Sequence, residues 1–326
     1  MSLSAVGARL SGSLGGRVEL AMPLAAFTTY RLGGPAELYV EPAGVEDLAA
    51  LGRALAAEGY RPSDVPVIAV GRGSNLVVSD EGFAGVVVRL GPRLSWVRVG
   101  AEPVVVEAGA STPLPQLANW VARRGLTGLE WLVSIPGSVG GAVRMNAGAH
   151  GGEVAAALES ATIFELDDLS IQQRSSRELG LTYRGSNLTD RTVVVCARFR
   201  LRVDEEVNVR RRMEECRRQR AETQPGAAQN AGSVFKNPPG DSAGRLVEMA
   251  GFKGYRIGGA EVSRRHANFF VAAEDATAQD VFDLVAAVRA GVRARFAVEL
   301  EPEIRFVGPF RAPGTPRLPP PSRVVG

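Results

Sequence analysis

The sequence predicts an α+β protein of more than one domain, and three observations predict it. The first third alternates helix-like and strand-like patterns without forming a repeat. The character of the chain changes at Asp204, where β-rich sequence gives way to a charged helical stretch. The run Gly128–Gly152 places seven glycines among 25 mostly apolar residues. Glycine is costly to order, so such density needs a reason, and close backbone approach to something flat or phosphorylated is the usual one. At 326 residues the chain also exceeds one average domain.

Taken in order, residues 36–40 read as a strand, and Val45 to Gly59 as an amphipathic helix ended by glycine. Residues 66–70 read as a buried strand leading into Gly71-Arg72-Gly73-Ser74-Asn75. Strand patterns follow at 76–78, 86–90 and 104–108, and a helix at 114–124 closed by Gly125. Beyond the glycine-rich run come strands at 161–165, 171–174 and 192–202. Residues 204–223 read as one charged helix stopped by Pro225-Gly226. The remainder holds helices at 243–250 and 277–296 and a strand-like stretch at 266–271. After Phe310, five prolines and no packing period predict a disordered tail.

Composition narrows the chemistry. Two cysteines, Cys196 and Cys216, and two histidines, His150 and His266, supply neither a disulfide framework nor a zinc-type cluster, so no metal site is expected. No apolar run reaches the ~18–20 residues of a membrane span, and the N-terminus lacks a secretory signal's apolar core. A soluble cytoplasmic protein is expected. The net charge of +3 suits a small anionic ligand. The basic cluster at Arg210–Arg212, Arg217, Arg218 and Arg220 is interleaved with Glu205, Glu206, Glu214 and Glu215, which reads as a solvated helix face rather than a nucleic-acid stripe.

Several motifs carry candidate chemistry. Gly71 to Asn75 follows a strand, but β-branched sequence comes next where a Rossmann fingerprint would open a helix, and Leu76 stands at the third glycine position. The loop is either a plain β-turn or a nest of backbone N–H groups for a diphosphate, with Ser74 and Asn75 as donors. Ile135-Pro136-Gly137-Ser138-Val139-Gly140-Gly141-Ala142 lacks a P-loop lysine. Its small residues, with the hydroxyls of Ser134 and Ser138 and with Asn146 and Gly148 beyond, suit either a glycine corner or a cofactor wall. Two glycine-rich sites without a Rossmann unit point to a large dinucleotide in an extended pose. Gly232-Ser233-Val234-Phe235-Lys236-Asn237-Pro238 has no nucleophile elbow, so Ser233 is either a turn serine or a proton donor. Glu303, beside a strand, Tyr183-Arg184-Gly185 and His266 are each compatible with a structural or a ligand-contact role.

Those blocks, in order and wording, resemble the UDP-N-acetylenolpyruvoylglucosamine reductase family. The likeness runs from Thr28-Thr29-Tyr30-Arg31-Leu32-Gly33-Gly34 through Gly71 to Asn75, Gly128 to Gly152 and Gly232 to Pro238 to Leu300-Glu301-Pro302-Glu303-Ile304-Arg305-Phe306. Ile257-Gly258-Gly259-Ala260 and His266-Ala267-Asn268-Phe269 extend it. The resemblance implies an FAD-binding fold of the vanillyl-alcohol-oxidase type in two α+β subdomains (1–90 and 91–203), then a C-terminal α+β substrate domain (204–310) and the tail (311–326). It implies FAD as cofactor, NADPH as hydride donor and UDP-N-acetylenolpyruvoylglucosamine as substrate, reduced to UDP-N-acetylmuramate in peptidoglycan synthesis by a monomer that needs neither nucleic acid nor membrane.

By the same resemblance, Gly71, Gly73, Ser74 and Asn75 hold the FAD pyrophosphate, and Ser134 to Ala142, with Asn146 and Gly148, line the cofactor. Arg184 and Glu303 meet the enolpyruvyl carboxylate, Ser233 delivers a proton to C2, and Lys236, Asn237 and His266 serve the substrate. Two departures stand out. Gly185-Ser186 follows Arg184 where an acidic or amide residue is common, leaving its local support open. The short span from Tyr183 to Thr192 excludes the long substrate-covering tyrosine loop of one branch. Where some members carry a phosphate-binding lysine this chain has Ala221, so Arg220 is the expected substitute. An FAD-linked oxidase of the same fold is the alternative enzyme and a nucleotide-binding regulator the alternative non-enzyme; colourless purified protein would favour the latter.

Overall fold

The computed structural model describes residues 2–61, 64–226, 229–314 and 319. Most of the tail expected to be disordered, 315–318 and 320–326, lies outside the described residues. The chain divides into two compact units that are not contiguous in sequence.

The first unit comprises residues 1–22, 36–72 and 84–220. The helices Leu3–Leu10 and Val45–Ala57 pack on a four-stranded sheet in the order Arg17–Pro23, Pro35–Glu41, Phe83–Val88, Val67–Ala69. A second, antiparallel sheet runs Ile171–Ser175, Leu158–Glu165, Thr192–Arg200, Val105–Gly109, Val97–Val99. Its strand Thr192–Arg200 explains the unbroken Val193-Val194-Val195 run. Val194 belongs to the core formed with the helices Leu114–Ala122 and Val139–Arg144, while Val193 and Val195 belong to the core beneath Val45–Ala57. A strand buried on both faces has no reason to alternate.

The charged helix Glu206–Thr223 runs with this unit through Arg220, although the sequence places it at the start of a separate domain. Its inner stripe decides the matter. Val209 and Met213 are buried in the unit-1 core, and Arg212 donates to Glu130 at 2.9 Å and pairs with Asp204 at 2.6 Å. On the exposed side Arg210 pairs with Glu206 at 2.6 Å, the i,i+4 arrangement of a solvated helix face.

The second unit gathers 23–35, 73–83 and 221–326. Two N-terminal segments therefore join the C-terminal third in this unit. Two contacts explain it. Leu76–Val78 pairs in parallel with Arg305–Val307, and the buried Tyr30 hydroxyl donates to the Phe270 carbonyl at 3.0 Å. Burial pushes the Tyr30 phenol well above its ordinary pKa. The long helix Ala278–Phe296 opens with a Thr277/Asp280 capping box, and the Asp80 carboxylate accepts from Ala278 N at 2.9 Å and Gln279 N at 3.1 Å. The stretch read as strand at 266–271 is a strand only over Phe270–Ala272. Phe269 N bonds to the His266 carbonyl at 2.9 Å and closes a turn instead.

Glu130 is the most informative buried charge of unit 1. Burial alone would raise its carboxyl pKa, but bonds from Thr127, Gly128 and Arg212 outweigh burial and hold it below its ordinary value of 4.5. A carboxyl depressed in the folded state stabilises fully above its unfolded pKa, and that contribution is lost as pH falls through the folded value. Glu130→Gln should therefore lower stability by about 1.5–3 kcal/mol at neutral pH, the range for charge-assisted hydrogen bonds. Its denaturant midpoint should fall less steeply than wild type below pH 4.5. Equal acid slopes would show that Glu130 is not depressed.

Candidate active site

In unit 1 a cavity opens beside Gly71. Val70, Val88, Leu90, Val193 and Val194 give it apolar wall, one side is built from Ala110, Ser138, Gly140 and Gly141, and Arg72, Arg89 and Arg144 also line it. The loop after Gly137 is pulled onto the end of strand Val105–Gly109: Val139 N bonds to Thr112 O at 3.0 Å and Gly140 N to Ala110 O at 2.9 Å. A Cβ on Gly71 would lie 2.4 Å from the Ser138 hydroxyl, and one on Gly140 3.0 Å from Ala110 Cβ. Gly141 differs, because a Cβ there would meet only Ser138 Oγ at 3.6 Å, ordinary contact distance. Ser138 is buried and its hydroxyl caps nothing.

Of the residues expected to hold a cofactor, this cavity thus gathers Gly71, Ser138, Gly140 and Gly141; Ser134, Ile135, Pro136, Gly137, Ala142, Asn146 and Gly148 do not line it. Ser134 turns its hydroxyl to the Trp131 carbonyl at 2.8 Å, and its own carbonyl receives Arg220, so in this structure Arg220 braces the glycine-rich run. Gly137 accepts from Leu114 N at 3.0 Å. The Asn146 side chain donates to Glu153 at 3.1 Å and Thr182 O at 2.9 Å, and accepts from Ala155 N at 2.9 Å. Its amide is a structural tie with both donors committed to the protein.

That tie holds the turn bearing Arg184. Thr182 and Gly185 exchange backbone bonds at 3.0 and 3.2 Å, and Arg184 sits between them at φ 56°. The guanidinium donates to the Gly148 carbonyl at 2.7 Å and lies 5.0 Å from the Tyr183 ring centroid. The support left open by Gly185 therefore comes from Gly148 and Tyr183. A Cβ on Gly185 would stand 3.1 Å from the Thr182 hydroxyl.

In unit 2 the chain brings another group together. Gly73 adopts φ 60° with its carbonyl accepting from Thr29 N at 3.2 Å, and a Cβ there would stand 1.9 Å from the Phe27 carbonyl oxygen. Ser74 follows, half-buried. Asn75 Nδ2 donates to the Glu303 carbonyl at 3.0 Å, and Arg305 N donates to the Asn75 carbonyl at 2.9 Å. Glu303 N in turn donates to the Val234 carbonyl at 2.7 Å, which sets Glu303 alongside Ser233. Ser233 lies opposite Phe269 in a β-bridge, and among the described residues its hydroxyl has no hydrogen-bond partner.

Asn268, quoted in the sequence but given no role there, is what fixes the serine segment. Its Oδ1 accepts from Phe235 N at 2.9 Å, its Nδ2 donates to Phe235 O at 2.8 Å, and its carbonyl accepts from Val234 N at 2.8 Å. His266 Nδ1 accepts from Asn268 N at 3.2 Å, which leaves the proton on Nε2. Burial, then the nearby Lys253, lowers its pKa and keeps it neutral. Lys236 pairs with Glu301 at 2.6 Å, and Asn237 accepts from Ala243 N at 3.0 Å, so both brace the segment. Among the described residues no group of three or more His, Cys, Asp or Glu is placed to hold a metal ion.

Residues 36–167 match the FAD binding domain family and residues 224–307 the C-terminal domain of UDP-N-acetylenolpyruvoylglucosamine reductase. The reductase 2 of that name from Symbiobacterium thermophilum is 44% identical over 294 residues, covering 90% of this chain and 93% of that protein. The chain belongs to the UDP-N-acetylenolpyruvoylglucosamine reductase family. The reductase of Rubrobacter xylanophilus is likewise 44% identical, over 88% of this chain and 94% of its own length. The crystal structure of the Thermus caldophilus enzyme superposes with a TM-score of 0.74 at 38% identity, covering 90% of this chain and 99% of that one. The fold class is thus as expected, an FAD-binding domain joined to a reductase-family C-terminal domain.

The cavity residues fit FAD. Close-packed glycines leave backbone exposed, Ser138 offers a free hydroxyl, and the apolar walls suit a ring system. Gly141→Ala separates cradle from scaffold. Because its methyl meets no protein crowding and alanine favours helix by about 1 kcal/mol, the melting temperature should hold or rise while the protein retains less flavin on purification. Full flavin content would show that Gly141 does not face the cofactor.

Proposed function

We propose that this chain is an FAD-dependent NADPH oxidoreductase that reduces the enolpyruvyl group of UDP-N-acetylenolpyruvoylglucosamine to UDP-N-acetylmuramate, a peptidoglycan precursor, with Arg184, Ser233 and Glu303 as its catalytic residues. The activity follows the family. The observation that most supports the residue roles is the bond from Glu303 N to Val234 O, because it sets a carboxylate and an uncommitted hydroxyl on adjacent segments.

When bound, FAD supplies the two-electron chemistry that links NADPH to the enolpyruvyl double bond. The protein's residues handle charge and protons. Negative charge grows at C2 and the adjoining carboxylate, and Arg184, whose guanidinium is anchored by the Gly148 carbonyl, is a pre-placed cation for it. Ser233 carries the proton for C2, and nothing in the described protein competes for that proton. Glu303, with its backbone bonded at both N–H and carbonyl, orients its carboxylate for the substrate end of the reaction. The backbone of Gly71, Gly73, Ser74 and Asn75 and the hydroxyl of Ser138 are the proposed pyrophosphate donors, and His266 offers Nε2–H to the substrate.

We place the enzyme in the cytoplasm, since NADPH and a nucleotide sugar are charged and do not cross membranes unaided, and propose that it acts as a monomer. Among the described residues no helix is long and apolar enough to cross a membrane.

Ser233→Ala should leave flavin reduction by NADPH near wild type and slow flavin reoxidation by the substrate by about 10²–10⁴-fold, the span of general acid catalysis. Stopped-flow absorbance of the two half-reactions reads this, and an equal loss in both would remove the proton role. Glu303→Gln should likewise impair only reoxidation; wild-type turnover in that variant would dismiss its carboxylate.

A further inference from the structure

We propose that Arg72 is a specificity residue for the diphosphate of the cofactor, a role that rests on the FAD reading and goes beyond the backbone donors already assigned. Three arginines line the unit-1 cavity, Arg72, Arg89 and Arg144, and no aspartate or glutamate does. Two of the three are neutralised within the protein: Arg89 pairs with Glu41 at 3.0 Å and Arg144 with Asp190 at 2.5 Å. Arg72 is exposed and makes no ion pair or hydrogen bond among the described residues. It stands between Gly71, whose missing side chain lets the backbone approach Ser138, and the φ 60° turn at Gly73.

A cavity that balances two of its cations internally and leaves the third unbalanced is built for an anion at that third position. The only strongly anionic part of FAD is the diphosphate, and a guanidinium presents donors in the fork that matches phosphate oxygens. The ring system needs no such charge, and the apolar walls from Val70, Val88, Val193 and Val194 serve it instead. Arg72 therefore governs how long the cofactor stays and how strongly salt loosens it.

The test is FAD release from full-length holoenzyme on dilution, followed by the rise in flavin fluorescence at low and high salt. Wild type should release FAD slowly at low salt and faster at high salt, as a screened charge pair requires. Arg72→Gln should release it about tenfold faster at low salt, from loss of one charge-assisted contact, with little further change at high salt. Arg72→Lys should fall between and keep the salt dependence. Release from Arg72→Gln within about twofold of wild type, or accelerated equally at both salt levels, overturns the proposal. If Arg72→Gln holds no flavin through purification, Arg72→Lys decides: loss of the salt dependence there also overturns it. Wild-type protein that carries no FAD would instead remove the cofactor reading itself.

Discussion

Asn75 is used at both ends. Its side-chain amide holds the Glu303 carbonyl at 3.0 Å and its own carbonyl takes the Arg305 N–H at 2.9 Å, which starts the parallel pairing of Leu76–Val78 with Arg305–Val307. One residue thereby joins positions 228 apart in sequence. Much of unit 2 follows from that seam. Glu303 N reaches Val234 O, Val234 N reaches Asn268 O, and Asn268 clasps Phe235 from both sides. The proposed nest residue, carboxylate and proton donor are therefore members of one hydrogen-bonded set. A hydrogen bond inside such a set is worth more than its pairwise share, because its neighbours leave it no alternative geometry.

The glycine-rich run has a different task in unit 1. Only four of the residues expected at a cofactor line the cavity: Gly71, Ser138, Gly140 and Gly141. The rest of the run is bracing. Asn146 ties the run to Thr182, Gly148 holds Arg184, and Ser134 receives Arg220. A Gly152 Cβ would stand 2.3 Å from the Trp131 ring, so that glycine is set by packing. Dense glycine thus marks both the proposed cradle and the tight turns that hold the proposed catalytic arginine.

Legibility in the sequence tracked how local each signal is. Leu76-Val77-Val78 breaks the Rossmann pattern after Gly73, and the strand is there. Gly59 and Gly125 end helices at φ 81° and 61°, as glycine after a helical pattern suggests. What escaped was long-range. Nothing local distinguishes Leu76–Val78 from other β-branched stretches, so its pairing with Arg305–Val307 and the transfer of 23–35 and 73–83 to the C-terminal unit were invisible. The helix Glu206–Thr223 read correctly as a helix, but its attachment depends on Val209, Met213 and Arg212 finding Glu130, which no spacing records. The cavity wall at Thr192, Val193 and Val194 reads only as part of a buried strand. Asn268 was in view, yet an asparagine in a turn-like context does not announce that it holds the neighbouring segment.

The most direct measurement is an anaerobic titration of purified protein with NADPH followed by UDP-N-acetylenolpyruvoylglucosamine, watching the flavin absorbance. A family reductase with these site residues should arrive yellow, bleach stoichiometrically with NADPH and regain its colour stoichiometrically with the enolpyruvyl substrate. Colourless protein would contradict the cofactor site, and bleaching without recovery on that substrate would contradict the reaction.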